Sequence, residues 1–364
     1  MKKICYVIST LQKTGPVIVL YNLVKNLDRT RFEPYIITLS KEPEKSLLQD
    51  FQKLKVDVKS LNLSRISSFF TGPLKLKKIM KEIKPDIVHS HCFRSALFSA
   101  TALKEYKRMV TVHCDYNMDF KMFYGNFLGY LMCRAMNFSL KRIKNNICVS
   151  KQLADILNKR NEDIEFNYID NGTDTEVFKP AENKIELRKK LNLPTDKKIF
   201  IWCGAFIERK DPLTLVNVIK QIKNDKLFFV FCGNGNLEKI CKDELRNDKN
   251  VLFTGYINNI KEYLQASDYH VSTSLSEGLP NGVLEALSCG LPCVLSNISQ
   301  HEYILEHTKN IGLFFETQNS ENLQNKINDI LKTDYNLYST NAVDLIQDKF
   351  SAKLMSKKYQ KYYD

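Results

Sequence analysis

The chain reads as two consecutive α/β domains, each a parallel sheet with helices on both faces. Three observations carry this reading. Short apolar runs alternate with helical patterns along the sequence, the alternation halts once near residues 171–180, and it then restarts. At 364 residues the chain exceeds one ordinary core. Strict alternation of strand and helix implies crossover connections, which place helices on both faces of a parallel sheet.

In the first half, apolar runs at 4–8, 35–39, 56–61, 87–89, 109–113, 147–149 and 166–169 predict strands. Helices are expected near 17–27, 44–54, 73–83, 94–104, 119–141 and 151–159. The stretch DNGTDTEVFKP, with its Asn-Gly pair and closing Pro180, breaks the pattern and marks residues 171–180 as a linker between domain 1–170 and domain 181–345. The second half repeats the scheme, with strands at 199–203, 227–232, 251–254, 269–273, 293–296 and 313–315. Its helices are expected near 212–222, 236–246, 259–265, 282–289 and 320–331. The tail is helical and carries Tyr359, Tyr362 and Tyr363 at packing spacing, so residues 346–364 are expected to return to the first domain. Two Rossmann-like domains facing a central cleft are the simplest architecture, and ligands of such sheets bind beyond the carboxyl ends of the strands.

With 43% hydrophobic and 26% charged residues, the composition is that of a folded globular chain. No apolar run approaches the length of a membrane span, and MKKICYVIST passes straight into a strand pattern, so a cytoplasmic location is expected. Among ten cysteines, Cys5, Cys148, Cys203 and Cys232 fall inside strand-like runs and none forms a Cys-x-x-Cys pair. They read as small buried hydrophobes. The net charge of +13 is lopsided: residues 1–180 hold 30 Lys and Arg against 18 Asp and Glu, whereas residues 181–364 hold 24 against 23. A basic first domain suits an anionic surface or ligand, or simply a solubilising surface. Nucleic acid is disfavoured, because neither an aromatic RNA-reading motif nor a basic recognition helix is present.

The stretch SLSEGLPNGVLEALSCGLPC, residues 274–293, places Glu277 on a loop and Glu285 in the helix that follows. Asn281 is the expected N-cap, Gly282 to Cys289 the helix and Gly290 its left-handed stop. The start of such a helix is an anion site, so a phosphate could rest against residues 279–284. After the strand at 199–203 comes GAFIERKDP, which aims Arg209 and Lys210 toward the strand ends, where they could neutralise a diphosphate. Gly15 in TLQKTGP permits close backbone approach to a ligand, with Pro16 suited to the first helical position. Gly233 lies in CGNGN, a strand-to-helix turn without the third glycine of dinucleotide binders, so an NAD enzyme is disfavoured. His113 closes a strand in TVHCDY, as His89 and His91 close the one before it. No Asp-x-Asp pair exists and the histidines lack partners at ligand spacing, so neither a metal nor any other cofactor is expected.

Together these residues resemble the retaining glycosyltransferases of family 4, which have the GT-B fold. The resemblance runs from Gly15 through His113, ICVSK at 147–151, NGTDTEVFKP, the loop at 204–210 and FTGY at 253–256 to SEGLPNGVLEALSCGLPCV. It implies a second domain that binds a nucleotide-diphosphate sugar, UDP-linked, and a first domain that binds a glycan or lipid-diphosphate-linked acceptor in polysaccharide synthesis. It further implies that Glu277 holds a donor-sugar hydroxyl, Glu285 the ribose, and amides from Leu279 to Gly282 the phosphates, with Gly278, Pro280 and Asn281 in the same donor-binding loop. Lys210 matches the diphosphate lysine, Gly204 and Gly233 line the donor side, and His113 lies near the transferred sugar. The chain departs from the pattern twice. Ala205 stands where the family has an arginine, leaving Arg209 as the candidate substitute, and Gly15-Pro16 replaces a glycine pair. An epimerase of the same fold and an inactive nucleotide-sugar-binding partner subunit remain alternatives.

The basic first domain then has a candidate partner in an anionic membrane surface. Residues 65–84 set Phe69 and Phe70 beside a lysine-rich helix, and 120–132 is rich in aromatics. For the second stretch, buried helix packing is the favoured reading.

Overall fold

The computed structural model describes residues 1–64 and 68–364. Arg65, Ile66 and Ser67, which open the first of the two lipid-facing candidates, lie outside the described residues. The chain divides into two compact units, residues 1–171 with 352–364 and residues 172–351. The junction thus falls at Asn171–Gly172, and most of the expected linker is folded into the second unit. There the Asp174 carboxylate accepts the Glu176 and Val177 amides, and Ser288 donates to the Phe178 carbonyl. The return crossing falls at Ser351–Ala352 because the helix Tyr335–Lys349 stays with the second unit.

In the first unit β1 (Lys2–Ile8), β2 (Phe32–Thr38), β3 (Asp57–Ser60), β4 (Ile87–His91), β5 (Lys107–Val112), β6 (Asn145–Cys148) and β7 (Phe166–Tyr168) form one parallel sheet in the order β3-β2-β1-β4-β5-β6-β7. In the second, β8 (Lys198–Cys203), β9 (Leu227–Cys232), β10 (Val251–Gly255), β11 (Tyr269–Ser272), β12 (Cys293–Ser296) and β13 (Gly312–Phe315) pair in the order β10-β9-β8-β11-β12-β13. The register is parallel throughout, for example Tyr6 opposite Ile36 and His89, and Phe200 opposite Phe229 and Tyr269. Each sheet grows outward in one direction, then restarts on the other side of its first strand. The loops leaving β1 and β4, and those leaving β8 and β11, therefore diverge and open a crevice.

The expected helix at 119–141 spans Tyr116–Ile143 and breaks at Gly125, whose φ of 77° and ψ of 170° are not helical. A Cβ on Gly129 would lie 2.7 Å from the Phe120 carbonyl oxygen, so the chain doubles back on itself beyond the break. Expected burial of this stretch is corrected by the structure: Phe123, Tyr124, Phe127 and Leu128 are exposed. Two helices lie outside the expected set. Lys184–Lys190 is mostly charged, and its Arg188 is buried against Asp268 at 2.6 Å. Ser299–Glu306 follows β12.

Helix Ala352–Tyr363 completes the core of the first unit, with Met355, Tyr359 and Tyr363 buried among Ile4, Tyr6 and Leu23. The hydroxyls of Tyr359 and Tyr363 are satisfied inside that core. Tyr363 lies 2.8 Å from His89 Nδ1, and Tyr359 lies 3.0 Å from Thr111 Oγ1, which in turn is 2.8 Å from His89 Nε2. Both nitrogens of His89 are thereby engaged by hydroxyls, and burial pushes its pKa down to about 3. Replacing Tyr363 by Ala should open a cavity and strip His89 Nδ1 of its partner, at a cost of about 3–5 kcal/mol. Urea unfolding should show this loss in the transition of the first unit, with that of the second unmoved.

Candidate active site

In the second unit the loop leaving β8 closes with a single 3₁₀ turn, Glu208–Lys210, after which Asp211 takes a left-handed conformation and caps the helix Pro212–Gln221. Its carboxylate accepts the Thr214 amide and hydroxyl, which fixes where the turn ends. The loop leaving β11 is fastened to this turn by its backbone. The Leu275 amide donates to the Arg209 carbonyl and the Thr273 hydroxyl to the Lys210 carbonyl, each at 2.8 Å, while the Trp202 indole donates to Thr273 Oγ1 at 3.0 Å.

This fastening brings three of the expected residues together. Arg209 Nη1 donates to Glu277 Oε2 at 3.0 Å and to the Ser276 carbonyl at 2.7 Å. Lys210 Nζ donates to Glu277 Oε1, which also accepts the Ser274 hydroxyl at 2.8 Å. Glu277 is only 6% exposed. Burial alone would raise its carboxyl, but Lys210 and then Arg209 outweigh that and hold it at about 2. It is therefore an anion at neutral pH, with one cation on each oxygen.

Beneath it lies a residue that sequence reasoning passed over. His301, fully buried on the helix Ser299–Glu306, has Nδ1 2.8 Å from the Ser296 carbonyl and Nε2 3.3 Å from Ser272 Oγ. The Ser296 hydroxyl donates to the Ser274 carbonyl at 2.6 Å. Because a carbonyl only accepts, Nδ1 carries the proton and the imidazole is neutral; burial lowers its pKa to about 4. His301 thus braces the floor under the Ser274–Glu277 loop. The signal available in sequence was a histidine three residues into a segment that carried no strong helical pattern.

The helix after the loop is Asn281–Ser288, one residue earlier than expected. Pro280 occupies the cap position and Asn281 is the first helical residue, so no side chain caps this start. Gly290 is left-handed at φ 76°, as the sequence implied. Glu285 is half-buried on this helix; burial raises the nearby thiols of Cys203 and Cys289, and the Glu285 charge adds to the effect. Gly278, Leu279 and Pro280 are buried, and Asn281 and Gly282 are partly so. Gly233 has φ 138°, and a Cβ there would fall 1.8 Å from the Gly204 carbonyl oxygen. Gly204 donates its amide to the Cys232 carbonyl at 3.0 Å, so these two glycines let the loops leaving β8 and β9 lie backbone against backbone.

His113 and Gly15 belong to the first unit. His113 follows β5, and its Nε2 lies 3.0 Å from Nδ1 of His91 at the end of β4. Burial lowers His113 to about 3 and holds His91 well below its ordinary value, so the two rings share one hydrogen bond as neutral imidazoles. Gly15 is exposed as the first residue of the helix Gly15–Lys25, which puts Pro16 second rather than first. Among the described residues, no group of three or more His, Cys, Asp or Glu is placed to hold a metal ion.

Paired Rossmann-like sheets of this order, with a cation-bound carboxylate where the second sheet reverses, define a GT-B architecture. The Anabaena protein HepE, solved with UDP and glucose, shares the fold at a TM-score of 0.85 and 16% identity, over 100% of this chain and 99% of its own. Residues 14–177 match the family described as Glycosyltransferase Family 4, and residues 183–342 match Glycosyl transferases group 1. The chain thus joins a Glycosyltransferase Family 4 domain to a Glycosyl transferases group 1 domain. An Escherichia coli relative, UDP-Gal:alpha-D-GlcNAc-diphosphoundecaprenol alpha-1,3-galactosyltransferase, is 30% identical over 64% of this chain and 63% of its own length. A Campylobacter jejuni relative, N,N'-diacetylbacillosaminyl-diphospho-undecaprenol alpha-1,3-N-acetylgalactosaminyltransferase, is 27% identical over 94% of this chain and 93% of its own.

Two expectations follow from the charges. Because the Glu277 carboxyl is depressed on folding, its ion pairs stabilise the native state fully above the ordinary value of 4.5, and this contribution is lost as pH falls toward about 2. Glu277→Gln should cost about 1–3 kcal/mol at neutral pH. Urea titrations at successively lower pH should show wild type and variant converging only in that acid window. By NMR, His91 and His113 should keep neutral-imidazole shifts throughout the range in which a free histidine titrates.

Proposed function

We propose that this chain moves a hexose or N-acetylhexosamine from a UDP-linked donor to a lipid-diphosphate-linked acceptor in the assembly of a bacterial surface polysaccharide. The reaction retains anomeric configuration and needs no metal ion, and it takes place at the inner face of the cell membrane. The observation that carries this reading is the Arg209–Glu277–Lys210 cluster on the loops that lead to the helix Asn281–Ser288.

Breaking a sugar–phosphate bond leaves a diphosphate anion. Lys210 and Arg209 are the groups to receive that charge, together with the backbone N–H groups of Leu279, Asn281 and Gly282 and the positive end of the helix dipole. Glu277 keeps both cations in place beside the phosphates and offers a remaining lone pair to a donor-sugar hydroxyl. With both oxygens already committed to cations and to Ser274, it is a poor nucleophile. Retention then follows from attack of the acceptor hydroxyl on the face the diphosphate leaves, with the departing phosphate taking the proton. Glu285 holds the ribose, Gly204 and Gly233 keep the donor side free of side chains, and Gly15 lets a ligand approach its backbone closely. The neutral His113 offers a hydrogen bond near the transferred sugar. Both relatives are named for transfer to a sugar on diphospho-undecaprenol, which supports the acceptor class.

The test begins with a thermal-shift screen of UDP- and GDP-sugars, in which a donor at 100 times its Kd adds about 2.7 kcal/mol of stability. Transfer of the selected sugar to a lipid-diphosphate-linked acceptor should follow, with a product of unchanged anomeric configuration by NMR. Glu277→Ala and Lys210→Ala should each lower kcat by roughly a hundredfold or more. Unchanged turnover in both variants, or release of an altered nucleotide sugar without acceptor, would refute the proposal.

A further inference from the structure

We propose that the first unit docks on an anionic lipid surface by inserting the apolar tip at residues 121–128, with the start of the helix Ser68–Ile83 entering beside it. The inference deepens the proposed acceptor class by naming the surface that meets the bilayer, and it rests on that reading only for its purpose.

Eight consecutive residues, KMFYGNFL, are all exposed at this tip, with Phe127 at 80%. Five of them are apolar or aromatic, an arrangement that a freely solvated loop has no reason to keep. Gly125 makes the tip. Its positive φ turns the helix back, and a Cβ there would meet nothing within 4 Å, so the glycine serves the turn rather than any packing. The second apolar set opens from the same place. Phe120 at the root of the tip packs on Phe93, and the adjacent Arg94 reaches Ser68 Oγ at 3.4 Å. Phe69 packs edge-on against Phe98 of that same helix, Phe93–Ala102.

The order of residues along the helix Ser68–Ile83 selects the partner. Phe70, Leu74, Lys78 and Lys81 share one exposed stripe, at 80% and 72% exposure for the first two. The stripe is apolar in its first turns and cationic in its last, so polarity changes along the axis rather than around it. A helix entering an interface end-on has this order, with aromatic and aliphatic groups among acyl chains and lysines about one turn higher among phosphates. Lys121 and Arg134 flank the tip in the same sense, Arg134 lying over the Tyr130 ring at 5.9 Å. A second copy would set these cations against their own kind, whereas an anionic headgroup layer complements them. Among the described residues no helix is long and apolar enough to cross a membrane, so the contact is interfacial.

Flotation of the full chain with vesicles of phosphatidylcholine, alone or mixed with phosphatidylglycerol, tests this directly. Wild type should float with the mixed vesicles and not with the neutral ones, less so as salt rises. F123S/F127S should weaken that binding at least tenfold, and K78E/K81E should abolish its dependence on anionic lipid. Thermal melts should be unchanged, because all four side chains are exposed. Absence of flotation on anionic vesicles, equal binding to neutral ones, or variants that bind like wild type would overturn the proposal. So would a concentration-dependent dimer that F123S/F127S dissolves while no vesicle binding occurs, which would assign the tip to a second copy. Transfer to a soluble short-chain acceptor without vesicles should survive in F123S/F127S. Its failure in wild type counts against the proposed activity alone.

Discussion

A carboxylate that is 6% exposed cannot remain charged unless cations come to it, and in the second unit that requirement shapes everything around Glu277. The cations arrive on the loop leaving β8 and the carboxylate on the loop leaving β11. Those strands are neighbours only because the sheet order reverses there. Backbone bonds from Leu275 and Thr273 to Arg209 and Lys210 then fix the loops to each other, so the side chains meet without having to search. The consequence for chemistry is that positive charge is positioned in advance, and little reorganisation is left for the moment when a leaving group develops its charge.

The two units share one strand order and use it in opposite ways. Where the second sheet reverses, ionised groups are concentrated and mutually neutralised. At the corresponding end of the first sheet His89, His91 and His113 are all pushed toward the neutral form by burial and linked to hydroxyls or to each other. The buried groups are ion-paired in the second unit and neutral imidazoles in the first.

Most of this was legible in the sequence because buried parallel strands are nearly continuous apolar runs, and each observed strand overlaps a run read as one. Lys210, Arg209 and Glu277 were legible because strand ends and glycine-shaped loops fix where such side chains go. Other features depend on contacts that no local pattern encodes. Helix Lys184–Lys190 exists because Arg188 reaches Asp268 some eighty residues away. His301 acts through a carbonyl and a serine on other elements. The break at Gly125 and the exposure of the residues around it were misread as buried packing, since an apolar helix looks the same in sequence whether its partner is protein or lipid.

The helix Ala352–Tyr363 also sets the order in which the molecule can be completed. A growing chain ordinarily finishes its first domain before its second emerges. Here β1 and the helix Gly15–Lys25 are made at the outset, but the residues that close the core above them, Met355, Tyr359 and Tyr363, are made after the entire second unit. The second unit is therefore the first that can reach its native core. The first waits with an apolar face uncovered and a histidine unsatisfied until the last helix arrives to seal it.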